Sequence, residues 1–443
     1  MAAPIPGSTD AESSIVLQEL SNQSDLQPSA GVPPGGPRTG LRQTFRALRH
    51  RNFRLFISGQ IISLVGTWMQ NVAQAWLVYR LTHSELMLGT AWFCSQIAVF
   101  ALGPLGGLAS DRYSRHKLVI ATQVLSMLQA LALAVLTLTG RVEVWHVLAL
   151  AFALGCVNAF DMPARQSLII QMTGKEELLN AISLNSAIFN AARVIGPGVA
   201  GVLVAAVGEG LCFLLNAFSF LAVIAGLIAM RLPPFRSHAT ESPWAHLVDG
   251  FRYAWRHRGV RTLLAMMAAS TIAGMPAVVL MPFFADGIFH RGSQGLGFLL
   301  GAMGIGAVTG TLVLAGRSRT EGLARVVFFS ATLMGACFVL FSLSQWFWLS
   351  LAIMPVLGYS VMRQMASANT LIQTSIPDRY RGRTMALYAM TVVGLGPFGS
   401  LAAGAMAHAC GARATVLTGG LLALAAAAVF RTRMPAEKPE VSV

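Results

Sequence analysis

The sequence predicts an all-α membrane protein in which twelve transmembrane helices form two pseudo-symmetric halves of six helices each. Three observations lead to this fold class. Of the 443 residues, 55% are hydrophobic and only 11% are charged, whereas a soluble domain carries about 25% charged residues. The apolar residues gather into runs long enough to cross a bilayer, which takes about 20 residues per helix. Motifs also recur between the two halves of the chain at a nearly constant offset.

This composition excludes several classes of function. Twelve crossings use nearly all the apolar residues, so little is left for an appended soluble enzyme. The formal net charge of +14 would favour nucleic-acid binding in a soluble chain. Here, however, Lys and Arg stand at the ends of apolar runs, where they set the topology. We therefore expect a lipid bilayer, and no nucleic acid, among the partners.

Taken in order, the chain begins with residues 1–44, rich in Ser, Pro and Gly, which predict a disordered cytoplasmic tail. A six-helix half at 45–230, a cytoplasmic linker at 231–259, a second half at 260–430 and a short tail at 431–443 follow. Prolines inside the runs are compatible with membrane helices, because neighbouring helices satisfy the freed backbone groups. The predicted runs are about 55–79, 86–109, 118–139, 144–168, 180–206, 211–230, 261–285, 295–315, 324–343, 346–371, 384–407 and 413–430.

Lys and Arg are distributed unevenly between the two sides of the predicted bundle. The side that holds the N-terminus carries 24 of them, and the loops of the opposite side carry four, namely Arg80, Arg141, Arg291 and Arg413. Cytoplasmic loops carry an excess of positive charge. Both termini are therefore predicted to be cytoplasmic.

An internal repeat supports the two-half architecture. The segment Arg49–Arg54 precedes the first run and the similar segment Arg256–Arg261 precedes the seventh, at an offset of 207 residues. A parallel repeat of six helices, with the substrate bound between the repeats, is typical of secondary transporters.

The predicted loop between helices 2 and 3 carries Gly107, Asp111, Arg112 and Arg115. Taken alone, this segment is also compatible with an ordinary positively charged cytoplasmic loop. It resembles the loop signature of the major facilitator superfamily, with Ser114 and His116 departing from the usual Gly and Arg. The resemblance implies a conformational latch that closes the cytoplasmic side when the outer side is open.

Helix 5 carries Gly196, Pro197 and Gly201, small residues and a proline that let two helices pack closely. The spacing is similar to the antiporter motif of the same superfamily, which implies export in exchange for protons, although generic packing explains the spacing equally well. Further stretches resemble the branch that includes the enterobactin exporter and macrolide efflux proteins, which implies a monomer in the bacterial inner (plasma) membrane. These stretches are Gly66–Trp76, Asp161–Gln166, Leu179–Ser186 and Pro377–Arg383.

Four charged residues lie deep within predicted spans, away from their ends, where each charge costs about 2.5–3.5 kcal/mol on insertion scales. They are candidates for proton coupling: Asp161, Arg165, Arg193 and Arg363. A carboxylate whose partner the substrate displaces can carry a proton, because burial and a nearby guanidinium shift its proton affinity in opposite directions. A fixed structural pair of Asp161 with Arg165 or Arg193 is the alternative.

Polar residues recur every three or four positions along helix 1, and this stripe must face protein or water. We expect a substrate cavity there, with hydrogen bonding between helices as the alternative for each residue. The candidates on helix 1 are Gln60, Ser63, Thr67, Gln70, Asn71 and Gln74, and those on helix 10 are Tyr359, Gln364 and Ser367.

The sequence therefore predicts a secondary active transporter rather than an enzyme. We expect a proton-coupled exporter of a small organic molecule, siderophore-like or drug-like, that works by alternating access. A proton-coupled importer, or a membrane-embedded enzyme or lipid flippase, is the alternative. No cofactor or metal is predicted, since the chain has no phosphate-binding loop motif and its five cysteines are scattered without pairing.

Overall fold

The computed structural model describes residues 46–174, 176–232, 255–315 and 322–433. Within these residues the protein is helical and contains no strand, which confirms the all-α prediction. Twelve helices have at least 20 residues each. They are α1 (Arg51–Thr82), α2 (Glu85–Arg112), α3 (Arg115–Leu138), α4 (Val144–Thr173), α5 (Leu178–Val207), α6 (Glu209–Ile228), α7 (Arg258–Val279), α8 (Gly292–Ala315), α9 (Leu323–Leu343), α10 (Phe347–Ser375), α11 (Asp378–Cys410) and α12 (Ala412–Arg433).

Except between α6 and α7, the chain segments that join successive long helices are short, as expected for antiparallel neighbours. Gly174, Gly208 and Gly411 follow the ends of α4, α5 and α11 with φ angles of 73°, 83° and 87°, a conformation that favours glycine after a helix. The end of the bundle at which α1 begins and α12 ends is called the proximal end, and the opposite end the distal end. The predicted N-terminal tail, most of the predicted linker and residues 434–443 lie outside the described residues.

Prolines do not end the helices that contain them. Pro104, Pro197, Pro276, Pro355 and Pro397 lie inside α2, α5, α7, α10 and α11 respectively. This confirms the prediction that the helices tolerate them, as expected where packed neighbours satisfy the freed backbone groups.

One helix departs from the predicted boundaries in a way that matters for the site. The predicted seventh run ends at residue 285, whereas α7 is followed by a helical turn at Met281–Phe283 and a π-helical turn at Phe284–Ile288. The helical path therefore reaches Asp286, which lay beyond the predicted span. Single π-helical turns occur frequently at functional sites.

The apolar core has a different organisation at the two ends of the bundle. At the distal end one continuous cluster joins the first six helices to the last six, with Leu77 and Phe213 from the former and Phe284 and Phe341 from the latter. At the proximal end there are two separate clusters. One contains residues of α1, α3–α6 and the segments that flank them, and the other contains residues of α7, α9–α12 and Ile376, which follows α10. Among the described residues, the two groups of helices thus share an apolar core only at the distal end.

Ten of the twelve long helices are long and apolar enough to span a membrane on length and composition. The two that are not among the ten are α1 and α10, the helices on which the sequence places the polar cavity residues. Polar residues lower the mean hydropathy of a helix, and in a bilayer they must face other helices or water.

Candidate functional site

The distal end is closed by a hydrogen bond between the two groups of helices. The Tyr79 hydroxyl, at the end of α1, donates to the Asp286 carboxylate on the π-helical turn at 3.1 Å. The Tyr79 ring also packs edge-on against Phe283. Tyr79 and Asp286 are 207 positions apart, the same offset that relates the motifs before α1 and α7. The contact therefore joins two positions that are separated by the offset of the sequence repeat.

Two pairs of helices cross at close range beside this contact. A Cβ on Gly201 of α5 would lie 2.8 Å from the Ser293 carbonyl oxygen and 2.9 Å from the Gly297 Cα of α8. A Cβ on Gly89 of α2 would lie 2.5 Å from the Ser400 carbonyl oxygen of α11. Since these are backbone atoms, only glycine allows the helices to approach so closely.

The helix 5 motif contributes to one of these crossings and to a second contact. Gly196 packs against α1, where an added Cβ would lie 2.5 Å from the Trp68 Cβ, while the Pro197 carbonyl oxygen lies 2.6 Å from the position of a Cβ on Gly297. The motif therefore packs α5 against α1 within the first group of helices and against α8 across the two groups.

Asp161 of α4 lies in a buried polar cluster. It is 3% exposed and accepts hydrogen bonds from the Thr122 hydroxyl at 2.7 Å and from the Gln123 amide at 2.9 Å, both on α3. The Arg165 guanidinium donates to the second carboxylate oxygen and also to the side-chain amide oxygen Oε1 of Gln60 on α1, at 3.0 Å. The cluster thus connects α1, α3 and α4 in the proximal half of the bundle.

Three buried atoms of this cluster have no hydrogen-bond partner. They are Gln60 Nε2, Gln123 Oε1 and Arg165 Nε. Buried polar atoms are usually paired, so each unpaired one calls for an explanation. Capacity for additional hydrogen bonds is therefore concentrated around the Asp161–Arg165 pair.

Arg193 and Arg363 do not join this cluster. Arg193 of α5 lies with its guanidinium carbon 5.7 Å from the centre of the Trp68 ring, and it contacts the Met362 sulfur of α10 at 3.7 Å. The Arg363 guanidinium carbon lies 5.4 Å from the centre of the Tyr359 ring, and the same guanidinium donates to the Tyr359 hydroxyl. Of the two partners considered for Asp161, Arg165 and Arg193, the structure therefore pairs it with Arg165.

The polar stripe of α1 divides between several neighbours. Gln70 donates to Gln129 of α3 at 3.0 Å and accepts from Asn216 of α6 at 2.7 Å, so it binds other helices of the first group. The Thr67 hydroxyl donates to the Ser63 carbonyl oxygen. Asn71 is exposed, while Gln74 is half-buried. Of the predicted stripe, Asn71 is thus exposed and Gln74 half-buried, whereas Gln70 is bound by other helices.

The candidates on α10 are more buried. Gln364 donates to the Ser270 hydroxyl of α7 at 2.7 Å, and Ser367 is fully buried with no hydrogen-bond partner for its hydroxyl. Tyr359 is half-buried and contacts Arg363. The structure therefore brings Tyr359 and Arg363 together and directs Gln364 toward α7.

The predicted latch residues lie at the proximal connection between α2 and α3. Arg115 and Asp111 approach to 3.8 Å, and Arg115 also donates to the Ser110 carbonyl oxygen at 3.2 Å. Arg112 is exposed, and open space surrounds the position of a Cβ on Gly107. The charged side chains thus stand at the end of the bundle where the two groups of helices have separate cores.

Several residues of the site were missed by the sequence analysis. Gln123 and Thr122 bind Asp161, Trp68 faces Arg193, and Tyr79 and Asp286 close the distal end. The offset of 207 could have drawn attention to the last pair. Among the described residues no group of three or more His, Cys, Asp or Glu side chains is placed to hold a metal ion.

Comparisons with known proteins agree with this architecture. A family model described as a transmembrane secretion effector matches residues 42–442. The chain is 27% identical to the multidrug efflux pump Tap of Mycolicibacterium fortuitum, over 86% of this chain and 95% of the relative. It is 25% identical to the staphyloferrin A transporter of Staphylococcus aureus (79% and 87%) and 24% identical to the enterobactin exporter EntS of Shigella flexneri (78% and 82%).

Solved structures show the same fold at low sequence identity. The crystal structure of the nucleoside transporter NupG superposes with a TM-score of 0.71 at 13% identity, covering 87% of this chain and 100% of that one. This similarity concerns the fold alone.

Proposed function

This chain belongs to the family of transmembrane secretion effectors, which are multi-pass membrane transporters and not enzymes, and from that premise we propose that it exports a small organic molecule in exchange for protons by alternating access. The twelve long helices form two six-helix halves, α1–α6 and α7–α12, that rock about the interface between them. All twelve cross the bacterial inner membrane, with α1 and α10 lining its polar interior. The protein works as a monomer.

The observation that carries the proposal is the distribution of the apolar core. The halves share one core at the distal end and have separate cores at the proximal end. Packed cores have discrete rather than continuous arrangements. Two halves that are joined at one end therefore represent one of the two conformations of an alternating-access transporter. The excess of Lys and Arg at the proximal side supports a cytoplasmic location for it. This structure then corresponds to the state open to the cytoplasm.

Similarity to named exporters supports the direction and the substrate class. The relatives are a multidrug efflux pump and two proteins named for siderophores. For this chain we propose a siderophore-like or drug-like organic molecule, which enters between the halves from the cytoplasm and leaves when the distal contacts open.

The Asp161 cluster supports the coupling to protons. Three donors stabilise the ionised carboxylate. If the substrate attracts Arg165, Asp161 loses its cationic partner inside a buried site, and a proton takes the place of the lost positive charge. The unpaired atoms of Arg165, Gln60 and Gln123 supply alternative hydrogen bonds during that exchange. Proton binding at Asp161 and substrate binding near Arg165 are thereby linked.

A transport assay on the purified chain in proteoliposomes tests this function. We use a panel of fluorescent organic molecules of both charges and impose a pH gradient in either direction. Antiport predicts accumulation when the lumen is acidic, because protons leave as substrate enters, and this holds for either orientation of the protein. Accumulation only when the outside is acidic would identify an importer, and a chemically altered product would indicate an enzyme.

A further inference from the structure

Two guanidinium groups on the long helices, those of Arg193 and Arg363, have no carboxylate partner among the described residues. Arg193 of α5 belongs to the first half and Arg363 of α10 to the second. Within the described residues, neither lies within 4.0 Å of a carboxylate, whereas Arg46, Arg80, Arg115 and Arg165 each do. An ionised group inside a membrane protein is expensive unless it is paired. The absence of a carboxylate beside Arg193 and Arg363 therefore requires an explanation.

The surroundings of Arg193 place it on the path between the halves. On the same helix, Gly196 packs against α1 and Gly201 packs against α8 of the other half. Arg193 contacts Trp68 of α1 and Met362 of α10. Trp68 in turn packs edge-on against Phe189, with ring centres 5.7 Å apart. The guanidinium therefore lies beside one aromatic ring and a thioether, partners that have no negative charge.

Arg363 follows Met362 in the chain and provides a second cation from the opposite half. Its Nε atom is buried and has no hydrogen-bond partner, while its other contacts are with the Tyr359 ring and hydroxyl. A buried N–H with no acceptor is uncommon in a native structure. This group is therefore equipped to accept an anionic partner that the chain itself does not supply.

We propose that Arg193 and Arg363 form the anion-binding part of the substrate site, so that the exported molecule carries an acidic group joined to an aromatic or otherwise apolar body. The acidic group is bound by the guanidinium groups through charge-assisted hydrogen bonds. The apolar body packs against Trp68, Phe189 and Met362, since thioethers and aromatic rings contact one another favourably. This inference rests on the proposed function and narrows its substrate class to organic anions.

The Asp161–Arg165 pair has a different role in this arrangement. Arg165 is already neutralised by Asp161, so it attracts an anion less strongly than a guanidinium with no partner. The negative charge of an anion bound at Arg193 and Arg363 contacts elements of both halves.

Binding of two dyes with the same ring system and opposite charge tests the inference. The probes are carboxyfluorescein, an anionic xanthene, and rhodamine 6G, a cationic xanthene, each titrated against the detergent-solubilised full chain by fluorescence polarisation. We expect carboxyfluorescein to bind more tightly than rhodamine 6G. Arg193→Gln should weaken carboxyfluorescein binding about ten- to a hundredfold, the effect of losing a charge-assisted hydrogen bond, while Arg193→Lys retains most of the affinity.

Arg141→Gln provides the matched control, because Arg141 is exposed in the connection between α3 and α4 and its replacement should leave binding unchanged. The thermal unfolding temperature of each variant verifies that it is folded. Equal binding of carboxyfluorescein by Arg193→Gln and the parent, or tighter binding of rhodamine 6G by the parent, would overturn the inference. Binding in detergent does not depend on transport, so the two claims fail in different ways. Binding of the anion without export would contradict only the proposed function. Export of cations alone would contradict only this inference.

Discussion

Replacing Asp161 with Asn is expected to abolish proton-driven accumulation of substrate while leaving substrate exchange at equal pH largely intact. The amide has the shape of the carboxylate and still accepts a hydrogen bond, but it neither carries the negative charge nor binds a proton at neutral pH. Proteoliposome uptake driven by an acidic lumen should fall to background. Counterflow, which needs only the movement of the halves, should remain within about threefold of the parent.

A structural role for Asp161 predicts a different pattern. Removing one partner of a buried ion pair costs about 3–5 kcal/mol, so a purely structural pair would lose both activities together as the protein destabilises. In Asp161→Asn, the Arg165 guanidinium is left without its negative partner. The double variant Asp161→Asn/Arg165→Gln removes that guanidinium, so a loss of coupling can be distinguished from a loss of stability. Retained pH-driven accumulation in a folded Asp161→Asn protein would end the coupling hypothesis.

Glu209→Gln is the matched control for this experiment. Glu209 is also buried, at 5% exposure, and is also paired with an arginine, Arg80, at 2.7 Å. It lies at the distal end within the first half, away from the Asp161 cluster. We expect Glu209→Gln to keep proton coupling. That result would show that coupling depends on the Asp161–Arg165 pair and not on buried ion pairs in general.

Gly201→Ala is expected to shift the protein away from the distally closed state and to reduce export strongly. The new methyl group would lie 2.8 Å from the Ser293 carbonyl oxygen and 2.9 Å from the Gly297 Cα, and overpacking of this kind costs about 1–3 kcal/mol. That energy corresponds to a change of about five- to a hundredfold in the population of the closed state. A cysteine introduced at Gln74 should react faster with an impermeant thiol reagent supplied from the distal side.

Gly198→Ala controls for the gain in helix propensity. Gly198 lies in the same helix, and no atom is within 4 Å of the position of its added Cβ. Both substitutions stabilise a helix interior by about 0.5–1 kcal/mol. A difference in export between the two variants is therefore due to the close crossing of α5 and α8. Equal export and equal labelling in the two variants would show that this crossing does not separate during transport.

The sequence allowed the helical fold to be predicted, because long apolar runs depend on local composition, whereas the location of the substrate site stays a prediction. The identification of the major facilitator superfamily is confirmed by the family match and by the named relatives. That the chain has twelve transmembrane spans in two halves, and that both termini are cytoplasmic, stay predictions.

The partners of individual polar residues could not be predicted. The three- and four-residue spacing on α1 shows which side chains share a face, but it does not show which helix covers that face. Gln70 therefore looked equivalent to Asn71, although Gln70 binds Gln129 and Asn216 and Asn71 is exposed. Tertiary packing alone distinguishes these neighbours.

The role of Asp286 was hidden for a different reason. The apolar run that predicted helix 7 ends at residue 285, so Asp286 lies just outside the predicted span. The π-helical turn at Phe284–Ile288 extends the helix past that boundary and brings the carboxylate to Tyr79. Hydropathy carries no information about such a local change of helical geometry.

Reversible cross-linking of the distal end tests alternating access most directly. In a chain whose five free cysteines are replaced, Tyr79→Cys and Asp286→Cys are joined by a short cleavable bifunctional thiol reagent, with Arg80→Cys and Glu209→Cys, both in the first half, as the control pair. The account predicts that the link between the halves stops export, that reduction restores it, and that the control link leaves export intact. Continued export by the fully cross-linked Tyr79–Asp286 pair would contradict the account.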